Sequence, residues 1–136
     1  MKKLIVLFVL IVLSALALTA CGGSQPENCL GTAGDAIVDL ECQEITIAME
    51  NAYLPFNYIS LETGEPGGWD YEAWDEICTR LHCAPVYTEA AWEGMIQAVA
   101  DGQFDAAADG ITIAEERAEI VDFSIGYISL EQKLLV

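Results

Sequence analysis

The amino-acid sequence predicts an α/β fold in which helices flank a mostly parallel sheet. Residues 44–49 are rich in β-branched and apolar side chains, as expected of a strand. Tyr71, Trp74 and Ile77 recur at helical spacing within residues 70–81. Strand-like and helical segments go on alternating along the chain, and this order favours a parallel sheet covered by helices.

The first strand is expected at 44–49. A turn that contains glycine and proline is expected at 62–68. The first helix, at 70–81, is expected to have Asp70 as its cap. The remaining expected elements are strands at 57–60, 86–88, 105–108 and 128–136, and helices at 92–100 and 114–119.

The N-terminal residues have the pattern of an export signal. Lys2 and Lys3 precede a run of apolar and small residues that is short for a membrane span. Residues 18–21 (Leu-Thr-Ala-Cys) resemble the bacterial lipobox, in which cleavage precedes a cysteine that is then acylated, here Cys21. A secretory signal with an incidental cysteine is the alternative. The predicted division is a lipoprotein signal peptide at 1–20, a tether at 21–43 and a folded domain at 44–136.

The chain is strongly acidic. Its formal net charge is −17, and removal of the signal peptide takes away both lysines and leaves −19. This charge argues against nucleic acid and against anionic lipid as partners, so membrane attachment would rest on the lipid of Cys21. No phosphate loop, metal signature or cofactor motif is present, and we expect no catalytic residue, no cofactor and a monomer.

The cysteines indicate disulfides. If Cys21 carries lipid, four cysteines remain and could pair in three ways. Local pairing is simplest: Cys29 with Cys42, and Cys78 with Cys83. The first bridge would close a loop of about fifteen residues, worth roughly 3 kcal/mol in the chain-entropy model.

The second bridge constrains the first helix. Five helical positions advance about 7.5 Å, beyond the roughly 7 Å that a disulfide spans between Cα atoms. A bridge from Cys78 to Cys83 therefore requires the helix to end near His82, and Pro85 also disfavours helix there. The alternative is zinc held by Cys78, His82 and Cys83, although no second ligand pair has a useful spacing.

Candidate ligand-binding residues follow three of the predicted strands. Open α/β sheets bind ligands beyond the carboxyl ends of their strands. Arg117 is one of three cationic side chains left after the signal peptide, so it needs an anionic partner. That partner could be a carboxylate-bearing small molecule or a nearby glutamate. The candidates are Glu50, Tyr53, Trp92, Asp109, Gly110, Thr112 and Arg117.

Six blocks of sequence in order resemble the bacterial solute-binding proteins, family 3, that deliver polar amino acids to ABC transporters. The resemblance covers residues 45–136 and is carried by residues 49–56, 68–72, 92–96, 102–105, 109–113, and 116–117 with 121–124. It implies one lobe of a type II periplasmic-binding-protein fold, with the second lobe missing. It also implies a free polar or basic amino acid as ligand and an ABC permease as partner, on the periplasmic or extracellular face of the membrane.

The same resemblance implies roles for single residues. Arg117 would clamp the α-carboxylate with a two-pronged hydrogen bond. Thr112 would help to hold the ligand, although Thr112 and Glu115 also fit a helix capping box. Gly110 would present its carbonyl to the ligand ammonium, or would simply be a turn residue.

The remaining positions concern the ligand's side chain. Tyr53 and Trp92 would flank it, although such rings are often core. Glu50 and Asp109 would favour a cationic or amide side chain, unless Asp109 faces the hinge or solvent. Two alternatives stay open: an exported enzyme on this fold, similar to cyclohexadienyl dehydratase, and a sensory ligand-binding ectodomain.

Overall fold

The structure of the protein is a computed structural model that describes residues 25–131 and Lys133. The predicted signal peptide at 1–20, the lipidation site Cys21 and part of the predicted strand at 128–136 lie outside the described residues. Within the described part, none of the helices combines the length and the apolarity that crossing a membrane requires.

A three-stranded parallel sheet forms the centre of the fold. Strand β1 (Gln43–Met49) lies between β5 (Cys83–Glu89) and β6 (Ala106–Ala107). All three strands run in the same direction, and Ile47 of β1 lies opposite Ala106 of β6. The prediction of an α/β fold with a parallel sheet is therefore confirmed.

A small antiparallel sheet extends from the carboxyl end of β1. It consists of β2 (Ala52–Tyr53), β3 (Asn57–Ile59) and β4 (Pro66–Gly67). Ala52 pairs with Tyr58 across the first ladder. This hairpin-like arrangement returns the chain towards the rim of the parallel sheet, so its side chains can reach residues that follow β6.

Three helices connect the strands: α1 (Trp69–Leu81), α2 (Met95–Ala100) and α3 (Glu115–Ala118). The helix predicted at 92–100 begins only at Met95. Gly94 has φ of 92°, and because a right-handed helix requires negative φ, Gly94 serves as the N-cap and the helix cannot extend back past it. Trp92 consequently lies in the loop before α2.

The expected cap of α1 was wrong. Gly68 occupies the N-cap position, and the helix has no side-chain cap. Asp70 lies inside the first turn, where its side chain is buried and accepts a hydrogen bond from Asn57. The carboxylate is still near the positive end of the helix, which favours a negative charge.

The expected strand at 128–136 is also wrong where it can be examined. Residues 128–131 form no strand, and Ile128 and Leu130 are exposed. Apolar composition predicts burial, but a strand also needs a neighbouring backbone to hydrogen-bond. Strand β6 pairs with β1 along one of its edges. Residues 128–131 do not pair with the other edge of β6, so they form no strand.

The hydrophobic core is built around β1. Ile47, Ala48 and Met49 are fully buried, as expected for the central strand of a parallel sheet covered on both faces. Met95 of α2 and Phe56, which lies between β2 and β3 in the chain, are also buried. The core therefore sets the position of the β1 carboxyl end, where the candidate ligand-binding residues begin.

Both expected disulfides are confirmed. Cys29 is bonded to Cys42 and Cys78 to Cys83. As the second bridge requires, α1 ends at Leu81, and His82 follows as a left-handed cap with φ of 50°. The backbone N–H of Leu30 also donates to Cys83 at 2.9 Å, so residues 25–42 are attached to the body. The domain boundaries stay a prediction.

Candidate ligand-binding site

The parallel order of β1, β5 and β6 brings their carboxyl ends to one edge of the sheet. The candidate residues follow these ends, and the structure brings them together in two groups. Tyr53, Phe56 and Gly110 form the first group, and Trp92 and Arg117 belong to the second.

The first group packs aromatic rings against a glycine. Gly110 has φ of 55°, which favours glycine. A Cβ at this position would lie 2.8 Å from Tyr53 Cε1 and 3.0 Å from Phe56 Cδ2. The two rings are 5.1 Å apart, with Phe56 buried and Tyr53 exposed. Glycine is therefore required both by the backbone and by the rings that contact it.

The second group holds a guanidinium in place. Arg117 Cζ lies 5.2 Å from the centre of the Trp92 ring, within the range of a cation–π contact. Arg117 Nη1 also donates to the backbone carbonyl of Thr112 at 2.9 Å. Among the described residues, no carboxylate lies within ion-pair distance of Arg117. The alternative of a surface ion pair with a neighbouring glutamate is therefore not observed.

The expected capping box at Thr112 was wrong. The N-cap of α3 is Ala114, and no side chain caps the helix. The Thr112 side chain is exposed, and its carbonyl accepts from Arg117. Since Ala114 itself has an extended backbone and occupies the N-cap position, the hydroxyl of Thr112 is not used to begin the helix.

A buried polar cluster lies between the two sheets. Asn57 Nδ2 donates to Asp70 Oδ2 at 2.8 Å and to Asp109 Oδ1 at 2.7 Å. Asn57 Oδ1 accepts from the backbone N–H of Asn51 at 2.7 Å. Asn57 is 0%, Asp70 1% and Asp109 5% exposed. One amide therefore connects the loop after β1, the first turn of α1 and the loop after β6.

The electrostatics of this cluster are unfavourable for two ionised carboxylates. Burial raises the pKa of Asp70 and of Asp109, and the hydrogen bonds from Asn57 oppose the shift in both. The charges of Glu50 and Asp70 raise the pKa of Asp109 further. Glu50 is half-buried at the end of β1, so the two predicted acidic residues lie near each other. The cluster attracts positive charge.

Sequence reasoning missed Asn57 and gave no role to Phe56. Asn57 begins β3, and asparagine is depleted in strands. An asparagine at the start of a strand, directly after an aromatic residue, was the available signal for a specific hydrogen-bonding role.

A separate apolar groove of about 400 Å³ borders β6. Trp74, Ile77 and Val99 are among the residues that line it, together with Asp109. Arg117 and Trp92 do not line this groove, so it is distinct from the predicted ligand clamp.

Asp109→Asn should stabilise the protein at neutral pH by about 1 kcal/mol, because an ionised buried carboxylate is replaced by a neutral amide. Since burial raises the pKa of Asp109 in the folded state, that state binds more protons above the ordinary value of 3.8. Folding stability should therefore fall as pH rises through the raised pKa, and the variant should lack this loss. Denaturant unfolding at pH 7 and at pH 3 measures the effect. An equal gain in the free energy of unfolding at both pH values would contradict the raised pKa of Asp109.

The parallel sheet and its flanking helices have the architecture of one lobe of the periplasmic-binding-protein-like fold. Residues 45–136 match the family of bacterial extracellular solute-binding proteins, family 3, and the chain belongs to this family. The family resemblance and the fold expected from the sequence are therefore confirmed.

Individual relatives show the range of the family. The chain is 27% identical over 127 residues to the L-cystine-binding protein TcyA of Bacillus subtilis, covering 93% of this chain and 47% of TcyA. It is 32% identical over 89 residues to the cyclohexadienyl dehydratase of Pseudomonas aeruginosa, covering 65% of this chain and 33% of that enzyme. The chain thus spans less than half the length of these relatives.

A solved structure is similar over a larger share of its own length. It is the arginine-bound form of domain 1 from TmArgBP, with a TM-score of 0.58 and 26% identity. The similarity covers 62% of this chain and 66% of that domain.

Proposed function

We propose that this chain captures a free amino acid as the substrate-binding lipoprotein of an ABC importer. The observation that carries the proposal is Arg117, whose guanidinium is held against Trp92 and has no carboxylate partner among the described residues. In a chain with a formal charge of −17, such an arginine is available for the negative end of a small molecule.

Two contacts of Arg117 support its proposed role as a clamp. The cation–π contact and the bond to Thr112 restrain two parts of the guanidinium. Its remaining N–H groups can form a bidentate pair with an α-carboxylate, which a lysine could not do. Thr112 and Gly110 belong to the same loop, so hydroxyl, backbone N–H and carbonyl groups are offered beside the guanidinium.

The other group of residues would receive the rest of the ligand. Tyr53 is exposed beside Gly110 and offers a ring for the ligand's side chain. Glu50 and Asp109 provide negative potential nearby, which favours a polar or basic amino acid. Proteins similar to this chain include one named for binding L-cystine and one solved in an arginine-bound form, which agrees with such a ligand.

Anchoring and delivery complete the proposal. Residues 1–21 would direct export and attach the protein to the membrane through lipid on Cys21, with the binding domain on the periplasmic or extracellular face. The protein would act as a monomer, and closure over the ligand would be the hinge motion that the permease recognises.

Calorimetric titration with matched ligands tests the proposal. Arginine, lysine, histidine and cystine form the panel, and agmatine, which is arginine without its α-carboxylate, is the matched control. We expect at least one amino acid to bind and agmatine to bind about 30-fold or more weakly than arginine, because it leaves Arg117 unpaired. Equal binding of arginine and agmatine, or no binding by the panel, would contradict the proposal.

A second candidate function is an exported enzyme similar to cyclohexadienyl dehydratase. The observation that favours it is the 32% identity to such an enzyme, together with a half-buried Glu50 that could serve as a general acid. Turnover of prephenate or arogenate, followed by chromatography, separates the two functions. Binding without turnover supports the receptor.

A further inference from the structure

A second cluster of reactive side chains lies at the opposite end of the parallel sheet from the candidate ligand-binding site. Cys42 directly precedes β1, and His82 lies between α1 and β5. The sulfur atoms of Cys29 and Cys42 and a ring nitrogen of His82 lie within 4.8 Å of one another. None of these residues takes part in the proposed function.

The Cys29–Cys42 disulfide is polarised by its surroundings. His82 Nε2 lies 3.1 Å from Cys42 Sγ, and Gln25 Nε2 donates to the same sulfur at 3.3 Å. Among the described contacts, no donor reaches Cys29 Sγ. Cys42 is only 4% exposed, whereas Cys29 is half-buried. The two cysteines therefore differ in exposure, and their sulfurs differ in their capacity to stabilise negative charge.

The imidazole is oriented by a carboxylate. His82 Nδ1 lies 2.7 Å from Asp39 Oδ1, which also accepts from the backbone N–H of Glu41 at 2.8 Å. The Glu41 N–H, followed by the bond to His82, lowers the pKa of Asp39, so Asp39 is the charged acceptor. Nδ1 then carries hydrogen, and Nε2 is the ring atom aimed at Cys42 Sγ. A protonated imidazole donates from both nitrogens.

We propose that the Cys29–Cys42 disulfide is a thiol-exchange site at which a small thiol becomes attached to Cys29. An incoming thiolate forms a sulfur–sulfur bond to Cys29 Sγ, and the Cys29–Cys42 bond breaks. Its electron pair stays on Cys42 Sγ, beside His82. The incoming thiol is oxidised to one half of the mixed disulfide, and Cys42 is reduced to a thiolate, which His82 stabilises or protonates.

The direction of exchange follows from physical organic chemistry. Exchange is faster when the departing sulfur is the better leaving group and when the attacked sulfur is accessible. A neighbouring cationic imidazole favours the thiolate form of a cysteine. Both factors select Cys29 for attack and Cys42 for departure. The consequence would be opening of the loop that the bridge closes between Cys29 and Cys42.

The other disulfide provides an internal control. Cys78 and Cys83 are both 0% exposed, and the described contacts place no histidine nitrogen on either sulfur. The two bridges experience the same solution, so a difference in their reactivity reports local structure alone.

The test uses reduced glutathione as the thiol, on a chain carrying Cys21→Ser so that no fifth thiol competes. Samples are quenched with acid after short times, labelled with N-ethylmaleimide and mapped by mass spectrometry. We expect glutathione on Cys29, the maleimide label on Cys42 and an intact Cys78–Cys83 bridge. Glutathione on Cys42, equal labelling of both sulfurs, or equally fast loss of the Cys78–Cys83 bridge would overturn the proposal.

A variant tests the role of the imidazole. His82 has φ of 50°, and asparagine tolerates this conformation well, so His82→Asn is the substitution of choice. We expect formation of the Cys29 mixed disulfide to slow about tenfold, with Cys78–Cys83 still intact. An unchanged rate would overturn the assignment of His82. Because the wild-type labelling pattern is measured independently, a variant that folds poorly does not decide the outcome.

Discussion

Arg117→Ala should lower amino-acid affinity by about 2–5 kcal/mol, as when one member of a buried charge pair is removed. This corresponds to a rise in Kd of roughly 30-fold to several thousand-fold. The physical reason is that the ligand carboxylate would lose its bidentate partner, and the Trp92 ring would lose the cation placed over it. Calorimetric titration with the amino acid that binds wild-type protein measures the change.

Arg80→Ala is the matched control for this prediction. It removes the same formal charge, but Arg80 is exposed on α1 and pairs with Glu76 at 2.7 Å. Such a surface pair contributes little to stability, and the long-range charge effect is screened by salt. We expect nearly unchanged affinity in Arg80→Ala. An equal loss in both variants would show that net charge, not the clamp, determines binding.

Asn57→Leu should lower the free energy of unfolding by about 3–5 kcal/mol, comparable to breaking a buried charge pair. The substitution removes the amide that donates to Asp70 and Asp109 and accepts from the Asn51 backbone. Two buried carboxylates would then lack this donor. For a domain with a typical stability of roughly 5–15 kcal/mol, the loss is severe. Denaturant unfolding at neutral pH is the measurement.

Asn28→Leu is the control, because it removes an amide that donates to a neutral acceptor and not to a carboxylate. Asn28 Nδ2 donates to the carbonyl of Pro85 at 2.7 Å, with no carboxylate involved. We expect its loss to cost only about 1 kcal/mol. If Asn57→Leu is no more costly than Asn28→Leu, the cluster does not connect the loops as described. A smaller cost of Asn57→Leu at acid pH would agree with its role, because protonated carboxyls no longer need the amide.

Much of the scaffold could be predicted from sequence because its signals are local. Helical spacing located α1, and β-branched composition located β1. The end of α1 was predicted from the geometry of a Cys78–Cys83 bridge and from Pro85, and the structure places it at Leu81. Each inference concerns residues that are close in sequence, where backbone preferences and spacing are informative.

The errors arose where the outcome depended on distant partners. Asp70 has the composition of a helix cap, but a hydrogen bond from Asn57 draws it into the interior. Residues 128–131 have strand-like composition but do not pair with a neighbouring strand. The contact between the Trp92 ring and the Arg117 guanidinium was likewise not predicted from the sequence. The assignment of Trp92 as a direct ligand contact stays a prediction.

The sequence by itself determined the α/β class and the family to which the chain belongs, and it favoured the two local disulfides, because each depends on the order and spacing of residues. Only the tertiary structure decided that one asparagine links two loops to the first turn of α1 and that an imidazole faces one sulfur of the Cys29–Cys42 bridge. These contacts join residues from 6 to 52 positions apart. Such proximity results from folding of the whole sheet, and no local pattern of residue types encodes it.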